Sequence, residues 1–182
     1  MGIVKGIVFN VLEELVTEAH GEGGWDDVLD DAGVDGAYTS LGSYADEEFA
    51  RLVGSVARRT GEPPDDVVRW VGRGALPLFV RRYPAFFTPH ADTRSFVLTL
   101  NEIIHPEVRK LYPGADVPEF AYDTSSPDIL IMSYTSHRRM CSFGEGLIEG
   151  AAAHYGQPVV ITQPRCMKRG DPSCTIAIDL GR

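Results

Sequence analysis

The chain has 182 residues, of which 43% are hydrophobic, and its formal net charge is −9 at pH 7. This length and composition suit a single folded domain with a substantial core, and the acidic balance argues against nucleic acid or an anionic membrane as a partner. No stretch approaches the roughly 20 apolar residues of a membrane span, and Glu13 and Glu14 interrupt the first apolar run too early for a secretory signal. We therefore expect a cytoplasmic protein.

The first half of the sequence has the apolar spacing of helices. Apolar residues recur every three or four positions along residues 8–16, 25–32, 49–56, 67–71 and 76–83. Ser43 is predicted to cap the third of these helices, and Pro64 to open the fourth. This half is therefore predicted to be helical.

A further helix is predicted to carry His105. Its apolar face runs from Phe96 to Ile104, and Asp92 or Thr93 is expected to cap its start. Pro106 follows the histidine and removes a helical N–H donor. The helix is therefore expected either to kink at this point or to restart with Pro106 in its first turn.

The second half mixes strands with a helix. Strands are predicted near residues 119–122, 129–138, 159–162 and 174–179, and a helix over residues 144–155. Because Gly170-Asp171-Pro172 should turn the chain back between the last two strands, we expect an antiparallel sheet. The predicted fold class is α+β, with a helical front and a mixed rear part.

Tyr134, Ser136 and Arg138 form the most informative pattern in this half. Alternate residues of a strand project to one face, so two hydroxyls and a guanidinium would converge there. Such a group binds carboxylate or phosphate oxygens, because the guanidinium fork matches them and the hydroxyls add donors. The pattern can arise by chance, and a lone helical histidine such as His105 is more often structural. Together, however, they supply the axial imidazole and the propionate donors that a haem requires.

In this order, the elements resemble the heme-nitric oxide/oxygen binding (H-NOX) family, a sensor domain found alone in bacteria and fused in soluble guanylate cyclase. The resemblance covers nearly the whole chain. It rests on the run Lys-Gly-Ile-Val-Phe-Asn at residues 5–10, on His105, Pro118, Tyr134, Ser136 and Arg138, and on Gly-Leu-Ile-Glu-Gly at residues 146–150.

The resemblance implies one H-NOX domain over residues 1–182, with haem between two subdomains. The helical distal subdomain would extend to about residue 64, and a proximal subdomain with a small antiparallel sheet would follow from about residue 65. A non-covalently held haem b would take His105 as its proximal ligand. Its propionates would be held by Tyr134, Ser136 and Arg138, and Val8 and Pro118 would press on the porphyrin faces.

The gas selectivity implied by the resemblance depends on Phe143. In oxygen-binding relatives a tyrosine at this position donates a hydrogen bond to O₂, and supporting polar positions correspond to Leu12 and Ala75 here. Bound O₂ gains from such a donor, whereas NO binds ferrous haem tightly without one. The expectation is therefore a haem that binds NO and CO but not O₂.

The resemblance also implies how the signal leaves the haem. Binding of NO would weaken the bond between iron and His105, and release of the histidine would move its helix. The sequence contains neither a glycine-rich phosphate loop nor a metalloprotease helix motif, so we interpret the chain as a binding module and not an enzyme. A histidine kinase or a cyclic-di-GMP enzyme is the implied partner.

Cys141, Cys166 and Cys174 would each, taken singly, be interpreted as an ordinary buried thiol. Together they resemble a C-terminal zinc site found in a subset of the family. A structural zinc takes four ligands, but the fourth ligand of those relatives, a histidine, is replaced here by Gln163. The cysteines could hold zinc with an outside ligand such as His137, hold it weakly, or form a thiol cluster.

Other functions fit parts of the sequence. A cysteine-based redox or zinc sensor would use the three thiols and leave the haem secondary. A small-molecule-binding regulatory module of the vinyl-reductase type (V4R) shares the hairpin from Cys166 to Cys174, but it explains neither His105 nor the Tyr134 pattern. A haem peroxidase would need a distal acid–base residue, which the predicted pocket lacks.

Overall fold

Four helices and a two-stranded ribbon form the N-terminal part of the fold. The computed structural model describes residues 2–181, so Met1 and Arg182, the two ends of the predicted domain, lie outside the described residues. The elements of this part are β1 (Ile3–Lys5), α1 (Gly6–His20), α2 (Glu22–Ala32), β2 (Ser43–Ala45), α3 (Asp46–Thr60) and α4 (Pro64–Arg82). The two strands pair antiparallel.

Local signals set most of these boundaries. Gly33 and Gly61 end α2 and α3 in the left-handed conformation, with φ of 65° and 78°. Pro64 opens α4 as predicted. The cap predicted at Ser43 is wrong, because Ser43 starts β2 and α3 begins only at Asp46. Residues 76–82, predicted as a separate segment, continue α4, which contains Pro77.

The C-terminal part combines short helical segments with a four-stranded antiparallel sheet, in the order β3-β4-β6-β5. Short 3₁₀ turns lie at Pro84–Phe86 and Met167–Arg169. The remaining elements are α5 (Thr93–Val97), a π-helical turn (Leu100–Ile104), α6 (His105–Leu111), β3 (Glu119–Asp123), β4 (Ile129–Thr135), α7 (Cys141–His154), β5 (Val160–Arg165) and β6 (Cys174–Asp179). The α+β class predicted from the sequence is confirmed.

The segment before the histidine is not one regular helix. Asp92 caps α5, since its carboxylate accepts a hydrogen bond from the Ser95 backbone N–H at 2.7 Å. The π-helical turn then ends at Ile104, and α6 begins at His105 with Pro106 in its first turn. Pro106 stands in the first turn of α6, as one of the two expectations has it, but the helical path does not break, because Ile104 and His105 both keep right-handed helical φ and ψ. His105 therefore occupies the first position of a short helix.

Helix α4 contributes to both hydrophobic cores of the protein. Val67, Val71 and Ala75 pack with the N-terminal helices, whereas Leu76 packs with the sheet and α7. Because α4 belongs to both cores, the boundary between two subdomains that was predicted near residue 64 stays a prediction. None of the helices within residues 2–181 is long and apolar enough to cross a membrane.

Helices α4 and α7 approach so closely that glycine is required at their contact. A Cβ atom added to Gly72 would lie 2.2 Å from the Phe143 carbonyl oxygen, and one added to Gly146 would lie 2.0 Å from that of Arg69. Next to this contact, Arg69 of α4 forms ion pairs with Glu145 at 3.2 Å and with Glu149 at 2.5 Å. The backbones of the two helices thus fix each other's position.

We expect Gly146→Ala to lower the free energy of unfolding by about 1–3 kcal/mol, because the added methyl would force the two helix backbones apart. The measurement is chemical denaturation of the full chain. Gly54→Ala on α3 is the matched control, since its Cβ would meet only the end of the Arg58 side chain, at 3.5 Å. It should instead stabilise the protein by about 0.5–1 kcal/mol. Equal effects of the two substitutions would contradict the close contact.

Candidate cofactor site

A cavity of about 240 Å³ draws its lining from both cores. Its wall is mostly aliphatic and aromatic, with Val8 from α1, Phe79 from α4, Ile104 from the π-helical turn and Leu147 from α7. The polar side chains on the wall are Lys5, Tyr83, His105, Tyr112, Asp116, Tyr134 and Arg138. This is the composition of a small-molecule or cofactor site, in which a few polar groups orient an apolar ligand.

The structure brings most of the predicted site residues to this cavity and leaves three outside its lining. On the wall are Val8, His105, Pro118, Tyr134, Arg138 and Phe143. Leu12 and Ala75, which correspond to the supporting polar positions of oxygen-binding relatives, are fully buried in the N-terminal core. Ser136 is buried beside the cavity without lining it.

His105 is held as a neutral imidazole. Burial and the nearby charge of Arg109 lower its pKa to about 4, although a hydrogen bond to the Pro118 carbonyl partly opposes this. The ring also lies 5.2 Å from that of Phe120. Because one ring nitrogen donates to Pro118, the other keeps its lone pair free for a metal. Pro118 thus orients the imidazole through its carbonyl as well as lining the cavity.

The Tyr134, Ser136 and Arg138 pattern is held by a turn more than by a strand. Only Tyr134 lies within β4, so strand alternation does not set the direction of the other two. The Ser136 hydroxyl interacts with that of Tyr134 and accepts a hydrogen bond from the Arg138 backbone N–H at 3.3 Å. Ser136 therefore braces the two residues on either side of it.

The guanidinium of Arg138 is tied to the rim of the cavity. It donates to the carbonyls of Ile3, at 3.1 Å, and Asp116, at 2.5 Å. Its Nε lies 3.5 Å from the Asp116 carboxylate but is buried without a hydrogen-bond partner. Because a buried N–H without an acceptor is unfavourable, this Nε is suited to bind an anionic oxygen of a ligand.

These residues fit a haem. The apolar wall suits a porphyrin, the neutral imidazole of His105 suits its iron, and the free Nε of Arg138 suits a propionate.

Several residues of the wall were missed from the sequence. Leu76 and Phe79 of α4 and Tyr83 directly after it line the cavity, at spacings of three and four residues. Leu147 lies four residues after Phe143 on α7. Helical spacing from a residue already assigned to the site would have found Leu147. Leu76, Phe79 and Tyr83 were not predicted as site residues, because residues 67–71 and 76–83 were taken as two separate helical segments.

The three cysteines form a second candidate site. Their Sγ atoms all lie within 4.8 Å of one another, with 3.8 Å from Cys141 to Cys166 and 3.9 Å from Cys166 to Cys174. Burial opposes ionisation of Cys166, but hydrogen bonds from the Lys168 backbone and the neighbouring thiols lower its pKa, whereas burial raises that of Cys174 to about 12. Among the described residues, His137 does not join the cluster and instead pairs with Asp116, at 2.9 Å.

Comparison with known protein families also indicates a haem-binding protein. The model of the Haem-NO-binding family matches residues 5–163. A search of curated protein sequences gave no match.

Solved structures similar to this chain include two from S. oneidensis and one from K. algicida. The S. oneidensis protein in the Fe(II)NO state is 33% identical, with a TM-score of 0.92, covering 98% of this chain and 100% of that one. The NMR structure of the Shewanella oneidensis SO2144 domain in the Fe(II)CO state has 33% identity, a TM-score of 0.89 and coverage of 98% and 99%. The unliganded Fe(II) protein from K. algicida has 26% identity, a TM-score of 0.89 and coverage of 98% and 97%.

The match extends over most of the chain and includes the elements that build the cavity. H-NOX domains are sensors and not enzymes. This chain belongs to the H-NOX family of haem-based gas-sensing domains.

Proposed function

We propose that this chain senses NO at a ferrous haem b, also binds CO, excludes O₂, and signals to a separate protein through His105. The observation that carries the proposal is that Phe143, which has no hydrogen-bond donor, lines the same cavity as the neutral imidazole of His105. Similar proteins have been solved in Fe(II)NO and Fe(II)CO states, which supports these two gases as ligands.

The haem would be held without a covalent bond, because the sequence contains no C-x-x-C-H attachment motif. His105 would hold the iron, oriented by the Pro118 carbonyl, and Arg138 would bind a propionate with Tyr134 and Ser136 beside it. Val8 and Pro118 would contact the porphyrin. When bound, the haem would supply an open iron coordination position for a diatomic gas.

The proposed exclusion of O₂ rests on Phe143, which lines the cavity at the position where oxygen-binding relatives carry a tyrosine. Its side chain offers no hydrogen-bond donor. At this position bound O₂ would therefore lack the hydrogen bond that stabilises its partial negative charge, whereas NO needs none.

Signalling would begin with release of His105 and continue with movement of α6, which starts at this residue. The family resemblance favours a histidine kinase or a cyclic-di-GMP enzyme as the receiving protein. The acidic net charge of −9 disfavours nucleic acid and anionic membrane surfaces as targets. Three cysteines without a disulfide agree with a cytoplasmic location, where thiols stay reduced.

We expect His105→Gly to abolish the iron–histidine vibration in resonance Raman spectra of the ferrous protein, since it removes the ligand, and added imidazole to restore a nitrogen ligand. His20→Gly is the matched control, because His20 is an exposed residue at the end of α1. An iron–histidine band that persists in His105→Gly would show that another residue is the ligand.

The ferrous protein is expected to keep the same absorption spectrum in air as under argon, until slow oxidation, and to change on addition of NO or CO. Phe143→Tyr should introduce a donor and produce a reversible O₂-dependent spectral change, worth about fivefold to tenfold in O₂ affinity for one hydrogen bond. Phe143→Leu is the control that changes size without adding a donor. A stable O₂ complex of the unaltered chain would refute the proposed selectivity.

We propose a second role for the cysteine cluster as a zinc site. In a tetrahedral site with Zn–S bonds of about 2.3 Å, the sulfurs lie about 3.8 Å apart. The separations of 3.8 Å and 3.9 Å match this geometry. The fourth ligand would come from outside the three thiols.

The V4R-like alternative explains only the hairpin that joins two of these cysteines, whereas the family match spans residues 5–163.

Protein purified without chelator is expected to carry about one zinc per chain, and Cys166→Ser to lower the zinc affinity at least tenfold by removing the central thiol. Elemental analysis and competition with a zinc-binding dye measure the two quantities. Gln163→His should raise the affinity, and Ser173→Ala, next to Cys174 but without a thiol, should leave it unchanged. If all three thiols react with a thiol reagent equally fast with and without zinc, the cluster is not a zinc site.

A further inference from the structure

Helix α6 joins the proposed iron ligand to a second anchored point. It is only seven residues long and directly continues the π-helical turn that precedes it. His105, Val108 and Tyr112 follow at spacings of three and four residues, and all three line the cavity. A shift at the Tyr112 end of α6 would therefore move His105 as well.

The C-terminal end of α6 is tied to α4 by a pair of tyrosines. Tyr83 directly follows α4 and Tyr112 directly follows α6. Their hydroxyl oxygens are 2.5 Å apart, and their rings meet edge to face with centroids 6.5 Å apart. Both rings lie on the cavity wall, and Tyr112 is buried. This contact crosses from the helix shared by the two cores to the helix that starts at His105.

At neutral pH the Tyr112 hydroxyl of this pair is uncharged. Burial and the hydrogen bond with Tyr83 raise the pKa of Tyr112 to about 12, although a hydrogen bond from Arg82 opposes this. Since Arg82 can only donate, it occupies one lone pair of the Tyr112 oxygen and leaves the O–H and the other lone pair of Tyr112 for the bond with Tyr83. The contact is a neutral hydrogen bond braced by a cation from the last turn of α4.

A second contact secures the same end of α6. The Lys5 ammonium donates to the Pro113 carbonyl at 3.0 Å, and also to the Leu41 carbonyl at 3.1 Å and the Ser43 hydroxyl at 2.7 Å. Lys5 belongs to β1 and Ser43 to β2, so this contact attaches α6 to the N-terminal ribbon. Because Lys5 is partly exposed, solvent and salt screen this charge-assisted contact.

We propose that the Tyr83–Tyr112 hydroxyl pair is a latch that sets the position of α6, and that both tyrosines are positioning residues for His105. The inference rests on the proposed function, in which His105 is the iron ligand. Opening the latch frees one end of α6 from α4. The helix then moves away from the cavity more easily, the iron–histidine bond weakens, and NO releases His105 more readily.

The test uses Tyr83→Phe, Tyr112→Phe and the double variant, each of which removes hydroxyls and keeps the rings. In the haem-free protein, hydrogen exchange of the α6 amides should become about fivefold faster, the effect of one lost hydrogen bond. In the haem-loaded protein, the iron–histidine stretching frequency should fall. The ratio of NO complex without His105 to NO complex with it should rise about fivefold.

The double variant should resemble the single ones, because each single substitution already removes the shared bond. Tyr155→Phe is the matched control, since it loses a hydroxyl bonded to the Phe87 carbonyl at 3.0 Å but does not bridge α4 and α6. It should leave both measurements unchanged, and an equal response would overturn the latch as a specific device. Additive effects in the double variant would also overturn it.

Faster exchange without any change in the iron–histidine frequency would overturn the positioning role. No change in either measurement, in variants that bind haem normally, would overturn the whole inference. If instead the unaltered chain binds haem without His105, the proposed function fails. Exchange in the haem-free protein would then still decide whether the latch exists.

Discussion

The contact between α4 and α7 is the constraint on which the cavity depends. Gly72 and Gly146 let the two backbones approach to a distance that no side chain would allow. Leu76 and Phe79 line the cavity from α4 and Tyr83 from the position directly after it. Phe143 and Leu147 line it from α7. The shape of this part of the wall therefore follows from one helix–helix contact. Because packed interfaces resist small deformations, the wall can be rigid although it encloses a cavity.

Ion pairs reinforce this contact at its outer edge. Glu145 is buried, and burial raises its pKa, but the charge of Arg69 opposes the rise. Arg69 is held mainly by its hydrogen bonds to Glu149, which raise the pKa of the guanidinium. Since a half-buried ion pair gives little net stability, its stronger effect is to select one register between the helices. That register decides which α7 side chains face the cavity.

The two candidate sites share the same frame. Cys141 is the first residue of α7, and Met140 and Phe143 on either side of it line the cavity. Cys174 pairs directly with Tyr134 across β4 and β6. The thiol cluster thus holds the start of α7 against the sheet at the point where the sheet delivers Tyr134.

Sequence reasoning succeeded where local physics decides the structure and failed where distant contacts do. Apolar periodicity predicted α1, and strand composition predicted β4 and β6. Ser43 has the preference of a helix cap, but its backbone pairs with β1 and its hydroxyl accepts from Lys5. Residues 76–83 were predicted as a separate segment, yet α4 continues through Pro77 because it is packed on both sides of that residue. The latch pairs residues 29 apart, which no periodicity can indicate.

Desolvation by the cavity wall explains how one environment suits both an iron ligand and a porphyrin. Burial disfavours whichever form of a group is charged, so it lowers the pKa of His105 and raises those of Tyr112 and Tyr134 to about 12. At neutral pH all three are therefore uncharged, and the full charges on the described wall belong to Lys5, Asp116 and Arg138. The Asp116 carboxylate lies 2.9 Å from His137 Nε2 and 3.5 Å from Arg138 Nε, too far from the latter for a hydrogen bond that meets normal geometry. A neutral interior with cations at its rim favours a flat apolar ligand whose anionic groups point outward, and the unpartnered Nε of Arg138 shows where one of them would bind.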